Sequence, residues 1–266
     1  MKRLLVVVVM ILAVPLVAPL LAQGAGGNPK GVLGPVDALG QEVRRPPAPT
    51  GPPPRLPDGT VDLGDGLWVS EPSFGPDIAL GLNTGETLPL LPSARTILGS
   101  RKPAEDPMVQ CLPLGLLRYS PYPFRFIQNY THKRPTHLYI LSELMHTFRQ
   151  VFMDGRTHPK ELDPTWFGHS IGSYEKDTLV IDTVGFNDKA WFDRKGTPHT
   201  EQLHTVERWT RADAGHLVQA VTVDDPGTFS RPFTVTFHAT LSNPGDDLIE
   251  YVCQENNQFG IASGVR

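Results

Sequence analysis

The sequence predicts an all-β protein, an antiparallel barrel or sandwich, preceded by a proline-rich irregular segment. Twenty of the 27 prolines lie at or before Pro123, whereas short segments rich in Val, Ile, Thr, Phe and Tyr follow Phe124. No helical periodicity lies between these segments. Short strands separated by turn residues are typical of a sandwich or a barrel, and a lipocalin-like barrel fits the pattern.

The composition restricts the class of partner. The formal net charge is −4, which argues against a nucleic-acid-binding protein, since such proteins present a basic face. The sequence contains no P-loop, no dinucleotide-binding glycine motif, no HExxH motif and no internal repeat. We therefore expect a small-molecule ligand or substrate and no nucleic acid.

Residues 1–22 resemble a secretory signal peptide. Met1-Lys2-Arg3 is cationic, Leu4 to Val14 is apolar, and small residues lead to Ala22. The uninterrupted apolar run is shorter than the roughly 20 residues that a spanning helix needs, and prolines interrupt its continuation. We expect a periplasmic or secreted protein with no stable membrane span after cleavage; a retained anchor is the alternative.

Three further segments follow. Residues 23–57 are predicted to form a proline-rich linker and residues 58–107 an irregular strap with one short helix near Ser93 to Leu98. Trp68 and Phe74 are expected to dock this strap on the core. Residues 108–266 are predicted to form the antiparallel β domain.

The two cysteines are far apart, at Cys111 and Cys253, and neither lies in a metal-binding spacing. In an oxidising compartment an even number of cysteines is most simply a disulfide. Two buried free thiols are the alternative.

The strands are predicted from β-forming residues bounded by turn signals. Alternation along the segment after Phe229 places Phe233, Val235 and Phe237 on an apolar face, with threonines and His238 on the opposite face. The predicted strands are His137 to Glu143, Thr147 to Met153, Thr178 to Val184, His204 to Arg211, His216 to Asp224, Phe229 to Leu241 and Leu248 to Gln254.

Candidate catalytic residues concentrate in two polar segments, 154–159 and 196–207, and in a neighbouring motif that contains His169. Imidazole and carboxylate groups transfer protons near neutral pH and also bind zinc, iron or manganese. If His204 begins a strand, Glu207 points to the opposite face, and the two share a site only if the backbone bends. The alternative is that these histidines only bond to backbone or face water. The catalytic candidates are Asp154, His158, His169, His199, His204 and Glu207, and the candidate ligands of one divalent metal are His169, His199 and His204.

Four further residues are candidates for substrate binding: Arg156, Asp182, Asn187 and Trp191. Asp182 and Asn187 flank Gly185-Phe186 at the end of a predicted strand, so turn formation is the alternative role for them. For Trp191 the alternative is packing in the core.

Gly168-His169-Ser170-Ile171-Gly172 matches the G-x-S-x-G pattern of a serine esterase. That motif requires a strand before the serine and a helix after it. Here a predicted strand follows the motif, so a serine esterase is only a lesser alternative.

Four segments resemble a group of exported bacterial hypothetical proteins: 152–159, 166–172, 177–187 and 198–208. The resemblance extends over roughly 107–255, and it implies a secreted β-rich domain without assigning a catalytic residue. Tyr174 and Lys176 stand where that group has Trp and Gly.

Two classes of function follow from these observations. The first is an exported enzyme with a His/Asp/Glu pocket that hydrolyses, eliminates or isomerises a small carbohydrate or aromatic compound. The second is a non-catalytic envelope protein that binds a ligand or has a structural role. The enzyme is favoured if at least three of the candidate groups meet within one pocket, and the binding protein is favoured if they scatter over the surface. These groups are His146, His158, His169, His199, His204 and Glu207.

Overall fold

The computed structural model describes residues 47–64, 66–70, 77–118, 122–131 and 134–253. Nine strands close into one barrel, and the described residues contain a single α-helix, α1 (Pro92–Ser100), besides short 3-10 turns. The strands are β1 (Trp68–Ser70), β2 (Phe124–Thr131), β3 (Arg134–Ser142), β4 (Thr147–Phe152), β5 (His169–Glu175), β6 (Thr178–Val184), β7 (His204–Arg211), β8 (His216–Asp224) and β9 (Phe233–Leu241).

The barrel prediction is confirmed, with one correction to its topology. Sequential neighbours pair antiparallel and β9 pairs with β1, but β4 and β5 are parallel. Their ladder contains only the pairs Val151 with Ser170 and Phe152 with Ile171. Parallel neighbours need a crossover, and residues 153–168 provide it.

Side chains fill the barrel interior. Along β9, Phe233, Val235 and Phe237 are buried and the threonines between them are not, as the alternation predicts. The apolar face is therefore inside, and the face with His238 lies outside. The largest fully buried side chains include Trp68, Trp209, Phe124 and Phe126.

Four strands differ between the prediction and the structure. β1, β2 and β5 were not predicted, because β1 has three residues and the other two contain polar residues or glycine that lower β propensity. The last predicted strand is wrong, since residues 248–252 form no strand. There the backbone N–H of Ile249 donates to the Glu143 carboxylate at 3.3 Å.

The hairpin between β5 and β6 places a lysine in an unusual backbone conformation. Lys176 has φ 55°, in the left-handed region that favours glycine.

The N-terminal segments are more integrated than predicted. Helix α1 agrees with the predicted short helix, but β1 lies between β2 and β9, so the predicted domain boundary at residue 108 is too late. The end of the predicted linker touches the barrel, because the N–H of Ala214 donates to the Gly51 carbonyl at 2.9 Å. The predicted signal peptide and Phe74 lie outside the described residues.

The predicted disulfide is confirmed. Cys111 and Cys253 are bonded, with their Cα atoms 5.8 Å apart. The bridge ties the turn at Pro107–Gln110 to the segment that follows the last strand. Within the described ranges, no helix has the length and apolarity to cross a membrane.

Candidate functional site

Three histidines and one aspartate meet on the outer face of the barrel. His169 begins β5, Asp182 lies near the end of β6, and His204 begins β7. Asp182 is paired with Ile171 on one side and Val206 on the other, so both strand histidines are diagonal neighbours of its carboxylate. His158 reaches the same place from the crossover between β4 and β5.

These four side chains, the His/Asp cluster, form a continuous chain of hydrogen bonds. Nδ1 of His158 lies 2.8 Å from Nδ1 of His169, and Nε2 of His158 lies 3.0 Å from Oδ1 of Asp182. Nε2 of His204 lies 3.0 Å from the same carboxylate oxygen. All four side chains are half-buried, so the cluster is accessible to solvent.

A glycine sets the direction in which β5 starts. Gly168 has φ 66°, and a Cβ at this position would lie 2.6 Å from the Val184 carbonyl oxygen. Any other residue would be strained there and would push β5 away from β6. The close approach keeps His169 beside the end of β6.

An aromatic ring and an ion pair flank His169. The Phe152 ring stacks on the His169 ring, with centroids 5.0 Å apart, and the Arg156 guanidinium lies 3.8 Å from the Phe152 centroid. Asp154 accepts a hydrogen bond from Arg156 at 2.8 Å, and this contact lowers the pKa of Asp154 to about 2. The predicted residues Asp154 and Arg156 therefore lie beside the cluster, paired with each other.

The surroundings of His169 lower its pKa. Desolvation is the largest cause, followed by the charges of His158 and Arg156. Each of these effects disfavours the imidazolium form, and a neutral imidazole can accept a proton near neutral pH.

The hydrogen bonds assign the tautomers of the neutral rings. A carboxylate can only accept, so His158 donates from Nε2 to Asp182 and keeps a lone pair on Nδ1. His169 must then donate from Nδ1 to His158. This leaves the lone pair of His169 on Nε2, the atom that can accept a proton from a substrate.

His199 is not part of the cluster, contrary to the prediction. It is 6% exposed and packs against Phe192, with ring centroids 5.0 Å apart, and its Nδ1 lies 3.4 Å from the Thr200 carbonyl. Burial lowers its pKa. The apolar surroundings on the buried side of the 185–203 connection account for its position.

Glu207 is also separated from the cluster. It is fully buried inside the barrel, whereas His204 lies outside, because alternating residues of β7 point to opposite faces. Its carboxylate accepts from Trp209 at 3.1 Å and from Gln219 at 2.9 Å. The prediction of Glu207 as a catalytic group at this site is corrected.

Two predicted substrate-binding residues have structural roles. Asn187 is buried and its side chain accepts from the backbone N–H of Lys189 at 3.1 Å, which is a turn contact. Trp191 is buried and the Arg101 guanidinium lies 4.8 Å from its ring centroid. Asp182 is the member of the predicted pair that reaches the cluster.

Ser170 does not form a nucleophile elbow. Its segment is strand β5, and its side chain is 1% exposed and faces the barrel interior. There its Oγ bonds to Arg149 and Thr183, away from His169 on the outer face.

No metal centre is apparent among the residues that the structure describes. They contain no group of three or more His, Cys, Asp or Glu side chains that could hold a metal ion, so the three predicted ligands do not form one. Binding of a divalent metal stays a prediction.

Sequence reasoning missed Arg149. It lies inside the barrel on β4, 5% exposed, with Nη1 2.6 Å from Oε1 of Glu207. The alternation of the predicted strand at Thr147 to Met153 would have placed it on the face of Val151, and a charged residue on that face is the signal that could have found it.

Comparisons of the chain with protein-family models, with curated proteins and with solved structures find no match. The site is therefore interpreted from its geometry.

Proposed function

We propose that the protein is an enzyme that uses His169 as a general base on a small carbohydrate or aromatic substrate. The observation that carries the proposal is the hydrogen-bond chain from Asp182 through His158 to His169. A carboxylate that orients an imidazole, which in turn acts on a substrate proton, is a recurring catalytic arrangement. Here a second imidazole extends the chain by one member.

Each member has a separate task in this proposal. Asp182 fixes the tautomer of His158 and stabilises the positive charge that develops on the two imidazoles when His169 accepts a proton. His158 passes this effect to Nδ1 of His169. His204 donates to the same oxygen of Asp182 and holds the carboxylate in place. Hydrolysis, elimination and isomerisation all require such a proton transfer.

The disulfide supports the proposed location. Disulfides persist in the periplasm and outside the cell, and they are rare in reducing compartments. The Cys111–Cys253 bridge agrees with a protein that is exported before it folds.

The test compares wild type with His169→Gln and with a matched control, His216→Gln. His216 also pairs with an aspartate, Asp213 at 2.8 Å, but it begins β8, next to the end of β7 that is far from His204. The substrates are nitrophenyl esters and nitrophenyl glycosides for hydrolysis, uronates for elimination and sugars for isomerisation. We expect His169→Gln to lower turnover by about 10²–10⁴-fold and the control to retain it. Unchanged turnover in folded His169→Gln would contradict the proposal.

A binding protein is the second candidate. A groove of about 380 Å³ lies between residues 80–84 and β9, lined in part by Thr84, Thr236 and His238. Its volume is within the range of small-molecule sites. If wild type turns over no substrate of the panel but a sugar raises its melting temperature, and His238→Ala abolishes that shift, this candidate is favoured.

A further inference from the structure

We infer that Arg149, inside the barrel, is a positioning residue for the His/Asp cluster on its outer face. This inference rests on the proposed function of the cluster. Arg149 contacts Ser170 and Thr183, which directly follow His169 and Asp182 in the chain. Since neighbouring residues of a strand point to opposite faces, fixing Ser170 and Thr183 inside also fixes the two cluster residues outside.

The contacts of Arg149 join three strands at this level of the barrel. Nη2 donates to Thr183 Oγ1 at 2.7 Å and to Ser170 Oγ at 3.0 Å, and Nε donates to Ser170 Oγ at 3.1 Å. The two hydroxyls are 3.0 Å from each other. One guanidinium on β4 thus connects β4, β5 and β6.

Glu207 anchors the guanidinium from a fourth strand. Its Oε1 lies 2.6 Å from Nη1 of Arg149, a charge pair without an aligned hydrogen bond. Oε2 is held by Trp209 and Gln219. Glu207 belongs to β7, the strand that His204 begins. The network of Arg149, Ser170, Thr183 and Glu207 inside the barrel therefore includes a residue from each of the three strands that carry His169, Asp182 and His204.

The parallel pairing of β4 with β5 explains why such a connection is needed here. This ladder contains two residue pairs, whereas β5 and β6 share seven. The network adds side-chain hydrogen bonds across the shortest part of the sheet near the cluster. These hydrogen bonds therefore hold the start of β5, where His169 lies, in register with β4 and β6.

A buried charge pair is weak evidence for net stability, because desolvation opposes the attraction. We hypothesise that the pair instead favours one specific arrangement of the site. This role can be measured separately from any contribution to the unfolding free energy. A structural role predicts that changes here alter only the unfolding free energy. A positioning role predicts that they also alter the hydrogen bond between His158 and His169.

The experiment removes single hydroxyl partners, since loss of either buried charge threatens the fold. Ser170→Ala and Thr183→Val each delete contacts to Arg149 and nearly conserve volume. Thr178→Val is the matched control. Thr178 lies in β6, as Thr183 does, but at the end away from the cluster, and its hydroxyl bonds to Thr210 of β7 at 3.0 Å. The readout is nitrogen NMR of ring-labelled histidine, which reports the tautomers of His158 and His169 without a substrate.

We expect Ser170→Ala and Thr183→Val to shift the tautomer populations of His169 and its titration midpoint, and Thr178→Val to leave both unchanged. Unchanged His169 signals in folded Ser170→Ala or Thr183→Val would overturn the inference. In wild type the Nε proton of Arg149 should exchange slowly with solvent, and exchange at the rate of an exposed arginine would also overturn it. Failure of the proposed function is a separate result, full turnover by His169→Gln.

Discussion

Nδ1 of His158 and Nδ1 of His169 lie 2.8 Å apart, so one ring must donate to the other. Because His158 also approaches the Asp182 carboxylate through Nε2, the direction of donation follows from the carboxylate. The tautomer of His169 therefore depends on the Asp182 carboxylate, although these two side chains are not in direct contact.

The first prediction concerns pH. The pKa of His169 lies below its ordinary value of 6.5 through desolvation, His158 and Arg156. Arg156→Gln removes one positive charge near the ring and should raise the midpoint of His169, as measured by proton NMR titration. Lys189→Gln, an exposed residue outside the cluster, is the control. An unchanged or lower midpoint in Arg156→Gln would count against this account.

The same pKa shift has a consequence for stability. The unfolded chain binds a proton at His169 at a higher pH than the folded chain does. The contribution of His169 to the unfolding free energy is therefore complete above pH 6.5 and decreases as the pH falls through the lower folded pKa. Urea unfolding of wild type and His169→Gln over this pH range measures the difference.

The second prediction separates His199 from the cluster. His199→Ala should lower the unfolding free energy by about 2–4 kcal/mol, since it leaves a cavity beside Phe192. Turnover per folded molecule should be unchanged. A folded His199→Ala protein that loses turnover would show that this histidine acts in the reaction after all.

The third prediction concerns the buried charge pair. Glu207→Gln leaves the Arg149 charge uncompensated and should cost about 3–5 kcal/mol of unfolding free energy. Adding Arg149→Met to this variant should restore part of the loss, because no buried charge remains. Denaturant unfolding of the two single variants and the double variant gives the coupling between the residues. Additive losses would mean that the two side chains do not interact.

The fourth prediction concerns the disulfide. The non-reduced protein should be lighter than the reduced protein by two hydrogens, and replacing Cys111 and Cys253 by serine should cost about 2–5 kcal/mol. The comparison requires intact mass measurement and denaturant unfolding. Two titratable thiols per unreduced chain would exclude the bridge.

Local sequence pattern was sufficient for much of the barrel. The turn signals around β6, β7 and β8 predicted strands with the bounds that the structure has, and the alternation in β9 predicted its buried face, although β9 begins at Phe233 and not at Phe229. β5 escaped detection because Gly172 and Ser173 are poor strand formers, and its place depends on pairing with β6. The parallel contact of β4 with β5 is a long-range feature that no local pattern encodes.

The cluster was predicted in part, and the error has a physical reason. His158, His169 and His204 were singled out for their chemistry, but nearness in sequence suggested His199 as the partner of His204. The actual partner is Asp182, from a neighbouring strand, and its position depends on the register of β6 against β5 and β7. Strand alternation did predict that His204 and Glu207 point to opposite faces of β7, but not which of them points into the barrel.

The fifth prediction tests the central claim, that Asp182 sets the tautomer of His169 through His158. Nitrogen NMR of ring-labelled histidine at neutral pH should show His158 protonated on Nε2 and His169 protonated on Nδ1, with Nε2 of His169 free. Asp182→Asn should redistribute both tautomers, whereas Asp213→Asn, beside His216, should not. His169 protonated on Nε2 in wild type, or tautomers that Asp182→Asn leaves unchanged, would contradict the claim.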